Sequence, residues 1–486
     1  MRKIFIYCLG VLILGLASCD TNKKQDRYRT KLTVADMQDD LQVLGQLLQT
    51  VHAGTYVYNT VTDIRNLLDS VQKSIHTPLT QREFYAKVDY IIDRLRCVHT
   101  DLRFDDAVYD SLANQKEFFP IPLFKYGNKL YINSDQYTNT KLGAELLSIN
   151  GVPVATILSK ILVHRHVDGL GTEGKDFGVN EDFGINYFLE YGGQFKFKLR
   201  LKDPQSHEIV DLTLQPETFN KILSHKYEDT YYFFPSDAPY DFEMIKSSKT
   251  ALLTIRSFSF ETYASRQAYR NFVSNSFLLL KLNHIRQLII DCRSNSGGYY
   301  MDTYFLLSYL LNESRPEFDS AVKRFDTLPL EKYSDPEDSA SIIYEDTTTQ
   351  YYTKINSRDF QLKAEHIDQW EPAPNRFEGK LFLITDGNVI SAGAIFAGVL
   401  KTRRHAYIVG AETAGGAAVH NSGAISYILP HSGLKLNIPT KRYYTLYDQQ
   451  PLGRGVLPDK KIVTTPKDIM GNEDPALGYI LDSLIH

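Results

Sequence analysis

From Leu32 onward, apolar positions recur at helical spacing in three blocks. These are Met37, Leu41, Leu44, Leu47 and Leu48; Ile64, Leu67, Leu68 and Val71; and Phe84, Val88, Ile91, Ile92 and Leu95. Each block gathers its apolar side chains on one face of a 3.6-residue helix, so residues 32–105 read as an N-terminal helical bundle. Thr80 stands three residues before Glu83, a capping box that opens the third helix. That helix runs out at Cys97-Val98-His99-Thr100 and delivers a histidine to a helix-to-strand junction. Between 118 and 216 the texture turns strand-like, with alternation over 129–133 and 194–201. Within it, 143–154 reads as a strand closed by an Asn150-Gly151 turn, followed by an apolar helix over 155–162. From Thr250 strands alternate with helices, as in α/β folds. The strands are 251–255, 287–291, 380–385 and 407–410, and the helices are 272–282, 301–311 and 391–400. Residues 312–376, polar and rich in Asp and Tyr, read as an insertion near the surface.

A chain of 486 residues predicts two or three domains. Its 54 Lys and Arg against 58 Asp and Glu give a net charge of −4, which removes the basic footprint of a nucleic-acid binder. The four cysteines, Cys8, Cys19, Cys97 and Cys292, are too few and scattered for a disulfide scaffold. Arg2-Lys3, the apolar run 4–17 and then Ser18 have the order of a secretory signal over 1–18. That run is shorter than the roughly 20 residues a membrane-spanning helix needs. Its ending, Leu16-Ala17-Ser18-Cys19, resembles a bacterial lipobox, which implies a lipid on Cys19, a polar tether over 19–31 and a cell-envelope lipoprotein held to the membrane by acyl chains. Cys97 and Cys292 sit among apolar neighbours and read as buried thiols.

The chemistry concentrates in two loops at strand ends, 295–298 and 388–391, on the side where open α/β sheets bind ligands. Ser391 opens a helix, beside free N–H groups and the positive end of the helix dipole, a position that suits an attacking oxygen. Gly297 and Gly298 let a backbone N–H approach a carbonyl, and with the Ala392 N–H they supply a two-donor oxyanion hole. Other polar motifs read as structural. Asp291 and Arg293 brace a strand end, Asp459 closes a turn with Pro458, and His52 packs or caps the first helix. His164 and His166 lack a third ligand for a metal. The string Gly169-Leu170-Gly171-Thr172-Glu173-Gly174 reads as a surface loop rather than a dinucleotide site. No zinc motif or P-loop occurs, so neither cofactor nor metal is implied.

Four motifs follow in order: Asp291-Cys292-Arg293-Ser294-Asn295-Ser296-Gly297-Gly298, then Ser391-Ala392-Gly393, Val409-Gly410-Ala411-Glu412-Thr413-Ala414-Gly415-Gly416, and Gly455-Val456-Leu457-Pro458-Asp459. Together they resemble the S41 serine peptidases, which include the C-terminal processing and tricorn proteases, over roughly residues 32–465. The resemblance implies a multidomain α+β chain: the helical bundle at 32–105, a PDZ-like β-rich domain at 118–216, and a crotonase-like α/β catalytic domain at 228–465, with 466–486 a tail or helix. It implies Ser391 as nucleophile, with Gly297, Gly298 and Ala392 as oxyanion hole. The lysine that C-terminal processing members place after Thr-x-Gly is missing at Thr413-Ala414-Gly415-Gly416-Ala417. Val98-His99-Thr100 matches the histidine motif of tricorn-like members, so His99 is the implied general base, with His420 and Lys441 as rivals. Tricorn-like members carry a serine before that histidine and a glutamate shortly before Gly-Val-x-Pro-Asp. Val98 and Leu452 stand there, leaving Asp448, Asp101 or a carbonyl to orient His99. The implied activity is envelope endopeptidase on peptides or unfolded protein, presented by the PDZ-like domain. The alternatives are an impaired relative that binds peptides through its cleft and PDZ-like domain, and a scaffold for an apolar small molecule.

Overall fold

The structure, a computed structural model, describes residues 27–134, 136, 140–228, 238–245, 249–336 and 350–485. The expected signal peptide and Cys19 lie outside the described residues. No helix among the described residues is long and apolar enough to cross a membrane.

Three helices, α1 (Val34–Thr50), α2 (Val61–Lys73) and α3 (Gln81–Leu95), each begin with a capping box, formed by Thr33 with Asp36, Thr60 with Asp63, and Thr80 with Glu83. These boxes satisfy backbone donors that a helix start leaves without partners. Arg96 ends α3 in the left-handed conformation and turns the chain toward β1 (Asp101–Arg103). β1 then pairs antiparallel with the strand Lys435–Tyr444, Leu102 opposite Leu436. The helices therefore share one core with the far end of the chain, where Ile425, Tyr427, Leu436 and Ile438 pack among Leu44, Phe84 and Ile92.

Next comes an antiparallel sheet of β2 (Leu123–Tyr126), β3 (Lys129–Ile132), β4 (Glu145–Ile149), β5 (Phe197–Lys202) and β6 (Ile209–Leu214), in the order β6-β5-β4-β3-β2. Asn150 and Gly151, both at positive φ, form the expected turn before α4 (Val154–Ile161). The sequence pattern did not reveal α5 (Glu173–Tyr191), because Gly174, Gly178 and Gly184 dilute its apolar stripe and Asp182 breaks its helical geometry. The glycine string ahead of α5 is a surface turn, as expected, with Leu170 exposed, but its glycines pack inward. A Cβ on Gly169 would lie 2.3 Å from the Gly453 carbonyl oxygen, and one on Gly174 would lie 2.4 Å from the Ala414 Cβ. Its glycines allow two backbones to touch.

The rest of the described chain builds two large sheets. The first contains β7 (Tyr240–Ile245), β8 (Thr250–Ile255), β9 (Gln287–Asp291), β13 (Lys380–Thr385), β14 (Tyr407–Gly410) and β17 (Lys460–Lys461), in that spatial order and parallel except for β7. The helices α6 (Tyr263–Leu282), α7 (Tyr300–Ser308) and α8 (Ala392–Arg404) pack on one face. The chain's last helix, α9 (Pro475–Ser483), covers Ile289, Phe382 and Ile384 on the other. The second sheet takes β10 (Ser320–Lys323), β11 (Tyr352–Lys354) and β12 (Phe360–Leu362) together with the hairpin β15 (Val419–Ile428) and β16 (Lys435–Tyr444). The expected surface insertion is thus partly structural, since Ala321 and Val322 are buried and β10 pairs with β16.

A buried ionic cluster joins α3 to the segment before α5. His164 meets Asp89 (2.6 Å) and Glu190 (3.1 Å), while His166 meets Asp89 (2.9 Å) and the Thr100 carbonyl (2.9 Å). All four partners are acceptors, so both rings donate from both nitrogens and are charged. Against the opposing effect of burial, Asp89 and Glu190 hold His164 up at about 9. His166 is also raised, by Asp89, Asp101 and Asp93. A raised folded-state value stabilises below the unfolded value near 6.5, and that stabilisation is lost as pH rises through about 9. We expect a loss on the order of 3 kcal/mol between those pH values, measured as a falling urea midpoint. A flat midpoint across that window would contradict the charged cluster.

Candidate active site

β9, β13 and β14 lie side by side, with Asp291 opposite Ile384 and Thr385 opposite Gly410. The loops leaving their carboxyl ends build the site. The loop after β9 is braced as expected. Asp291 accepts from Arg256 (2.7 Å) and Arg293 (2.7 Å), and Arg293 also reaches Asp474 (2.6 Å).

The loop after β13 turns sharply into α8 at Ser391, whose φ of 51° and ψ of −129° are rare outside glycine. Such a backbone costs ~1–3 kcal/mol and persists where the surroundings impose it. The Ser391 hydroxyl does not cap α8 and makes no hydrogen bond among the described residues. In the first turn, Gly393 and Ala394 donate to the Ile390 carbonyl and Ile395 to that of Ser391. The Ala392 N–H is left without an acceptor among the described residues.

The β9 loop closes against this turn, with the Ile390 N–H donating to the Asn295 carbonyl (3.1 Å). A Cβ on Gly297 would stand 2.7 Å from the Ser391 Cβ, at a φ of +91° that favours glycine. The Gly297 N–H, however, donates to Asn295 Oδ1 (2.9 Å). Gly297 was expected to share the oxyanion hole as a donor; here its N–H is engaged by Asn295, and its missing side chain leaves room for the Ser391 Cβ. Gly298 bridges to Phe258 through its neighbours, since Phe258 N–H donates to Gly297 (2.8 Å) and Tyr299 N–H to Phe258 (2.9 Å). The Gly298 N–H faces away from that bridge.

The loop after β14 reaches both sides of the site. A Cβ on Gly415 would lie 2.8 Å from the Ser391 nitrogen, and the Gly416 N–H donates to Asp168 Oδ2 (2.9 Å). Asp168 also accepts from the Val98 N–H (2.9 Å) and donates its own N–H to the Ala414 carbonyl (2.9 Å). It thereby ties the end of α3, the glycine string and the loop after β14 into one knot. The carboxylate, a His99 ring nitrogen and Cys97 Sγ lie within 4.8 Å of one another. Burial lowers the His99 pKa, the Asp168 charge opposes that, and the net value is below the ordinary 6.5. His99 is therefore neutral and able to accept a proton at neutral pH. Burial raises Asp168, against the pull of His99 and the two backbone donors.

His99 is half-buried, and its neighbour Thr100 is held twice, by His52 Nε2 at its hydroxyl (2.7 Å) and by His166 at its carbonyl. The Gly54 N–H donates to His52 Nδ1, which gives that histidine a packing and capping role. No Ser391–His99 hydrogen bond forms among the described residues, and the buried His99 Nδ1 has no partner. Serine–base bonds often tighten only around substrate.

Of the rival bases, His420 is fully buried, bonded to the Tyr300 hydroxyl and stacked on Tyr443 at 5.3 Å. Burial and His99 push it down to about 3, which makes it a poor proton acceptor at neutral pH. Lys441 sits mid-strand on β16, between Lys323 and Ser422. Of the carboxylates considered for orienting His99, Asp101 faces Arg103 and His166. The carboxylate whose charge acts on His99 is Asp168, which sequence reasoning missed. Asp459 does more than close a turn, since it accepts from the Ile408 N–H (2.8 Å) and Lys401 (3.1 Å).

The model of peptidase family S41 matches residues 249–462. Among solved structures, mature CPAF is 16% identical with a TM-score of 0.63, covering 90% of this chain and 94% of that one. A CPAF mutant is 14% identical with a TM-score of 0.67, covering 90% and 95%. Mature CPAF complexed with lactacystin is 16% identical with a TM-score of 0.65, covering 90% and 96%. At these identities the likeness is one of fold. A comparison with curated proteins finds no match.

Proposed function

We propose that this chain, whose residues 249–462 match the model of peptidase family S41, is an endopeptidase that cleaves peptide bonds through an acyl-enzyme on Ser391. His99 is its general base and Asp168 orients that base. The observation that carries this reading is the strained Ser391 at the start of α8, set against Gly297, with the Gly298 and Ala392 N–H groups left as donors.

The Ser391 oxygen attacks the scissile carbonyl as His99 takes its proton. Negative charge then develops on the carbonyl oxygen, where the two N–H donors stabilise it. His99 returns the proton to the leaving amine, and a water activated by the same ring hydrolyses the acyl-enzyme. On closure around substrate Asp168 accepts from the Nδ1 proton, a hydrogen bond that this structure leaves unmade, and its charge stabilises the transient imidazolium.

The β-rich module presents the substrate. β2 is an edge strand of its sheet, and an extended peptide adds to such an edge by main-chain hydrogen bonds once it displaces Asn180, whose Oδ1 accepts from the Lys125 N–H (2.7 Å). A cavity of about 450 Å³ beside it, lined by Phe124, Tyr126, Thr385, Asp386 and Gly410, leads from that edge to the strand ends of the catalytic sheet. The lipobox-like N-terminus anchors the enzyme in the cell envelope through Cys19.

The test is turnover of an unfolded model protein by the wild type, His99→Ala and His420→Ala. We expect His99→Ala to abolish cleavage and His420→Ala to retain most of it. Loss in His420→Ala alone, with both variants folded, would transfer the base to His420. Absence of wild-type cleavage across pH would favour peptide binding without turnover.

A further inference from the structure

We propose that Cys97, His99 and Asp168 form an inhibitory site for a divalent transition-metal ion of the zinc class, so that metal binding reversibly switches the peptidase off. The three side chains offer the sulfur, imidazole and carboxylate donors that such ions prefer, and their ligand atoms lie within 4.8 Å of one another. Zinc bonds of about 2.0–2.3 Å in a tetrahedron separate ligand atoms by roughly 3.3–3.8 Å, so the side chains need to draw inward by only about 1 Å. The fourth position is left to water.

A second observation points the same way. His99 Nδ1 is buried and has no hydrogen-bond partner, so one of the histidine's two possible ligand atoms is left unsatisfied. The surrounding groups fix the other two ligands. Asp168 is held by the Val98 and Gly416 N–H groups, each of which leaves its oxygen a lone pair for a metal. The Asn421 amide donates toward Cys97 Sγ (3.4 Å), a contact that opposes the burial holding the sulfur as a thiol. Thiolate and carboxylate together balance the charge of a divalent ion.

Cys97 must give up its proton on binding. Burial and Asp168 hold the free thiol up at about 12. Each ion bound therefore releases one proton to solvent, and affinity rises with pH. A metal on Nδ1 forces the remaining ring proton onto Nε2, so His99 can no longer accept the proton of Ser391, and Asp168 is withdrawn from its orienting role. The inference rests on the peptidase reading only for its inhibitory consequence; the binding itself does not.

The experiment is a titration of the full chain carrying Ser391→Ala with Co²⁺, read as a thiolate-to-cobalt charge-transfer band. This readout needs no turnover, so failure of the metal site and failure of the peptidase reading are distinguishable. The expected result is saturation at one ion per chain. The band should be lost in Ser391→Ala/Cys97→Ser, which retains Cys8, Cys19 and Cys292. A second variant, Ser391→Ala/Asp168→Asn, carries the test if the first does not fold, and it should bind more than about tenfold more weakly. Absence of the band in Ser391→Ala, or an undiminished band in either double variant, would overturn the proposal. In the wild-type enzyme, Zn²⁺ should inhibit and a chelator should restore activity.

Discussion

Replacing Ser391 by alanine is expected to lower kcat by on the order of 10⁶-fold, the scale seen when a serine peptidase loses its nucleophile. The hydroxyl makes no hydrogen bond among the described residues, so its removal breaks no contact and the thermal midpoint should stay within a few degrees. Large loss with intact folding separates a catalytic hydroxyl from a structural one. A variant that keeps more than about a hundredth of wild-type turnover would remove Ser391 from the chemistry.

Asp168→Asn is expected to lower kcat by about 10⁴-fold, as when the carboxylate of a serine–histidine triad becomes an amide and the wrong tautomer prevails. It should also move a pH limb, and the sign follows from the electrostatics. The His99 value is already below 6.5 because burial outweighs Asp168, whose charge raises it. Removing that charge lowers it further, so the acid limb of kcat/KM shifts to lower pH. The amide also turns its NH₂ toward one of the two N–H donors that Asp168 now accepts from, a mismatch costing about 1–3 kcal/mol of stability. Measuring pH profiles and urea midpoints together separates the two effects. Lost stability with an unmoved acid limb would leave Asp168 a structural brace only.

The sequence pattern carried the parts of the molecule that depend on local order. The three N-terminal helices and the limits of the third follow from apolar spacing and the Thr80–Glu83 box, and β9, β13 and β14 follow from short apolar runs. Ser391 was legible as a serine at a strand-to-helix turn, although its strained backbone was not. What escaped depends on distant pairing. β1 is three residues long and exists because it adds to β16, more than three hundred positions later, yet it carries His99 toward the β15–β16 hairpin. Asp168 sits in a glycine-rich turn, and its contacts appear only when Val98, 70 positions away, and Gly416, 248 positions away, both donate to it. The engagement of the Gly297 N–H by Asn295 was illegible for a smaller reason. Which of two adjacent glycines keeps a free N–H depends on one side-chain acceptor, Asn295 Oδ1, whose direction the sequence does not encode.

The most direct test of the central claim is the intact mass of the enzyme after reaction with a serine-directed fluorophosphonate. The account predicts a single adduct per chain that maps by peptide digestion to Ser391, is absent in Ser391→Ala, and forms far more slowly in His99→Ala. An adduct on another serine, or none from an enzyme that still cleaves protein, would contradict it.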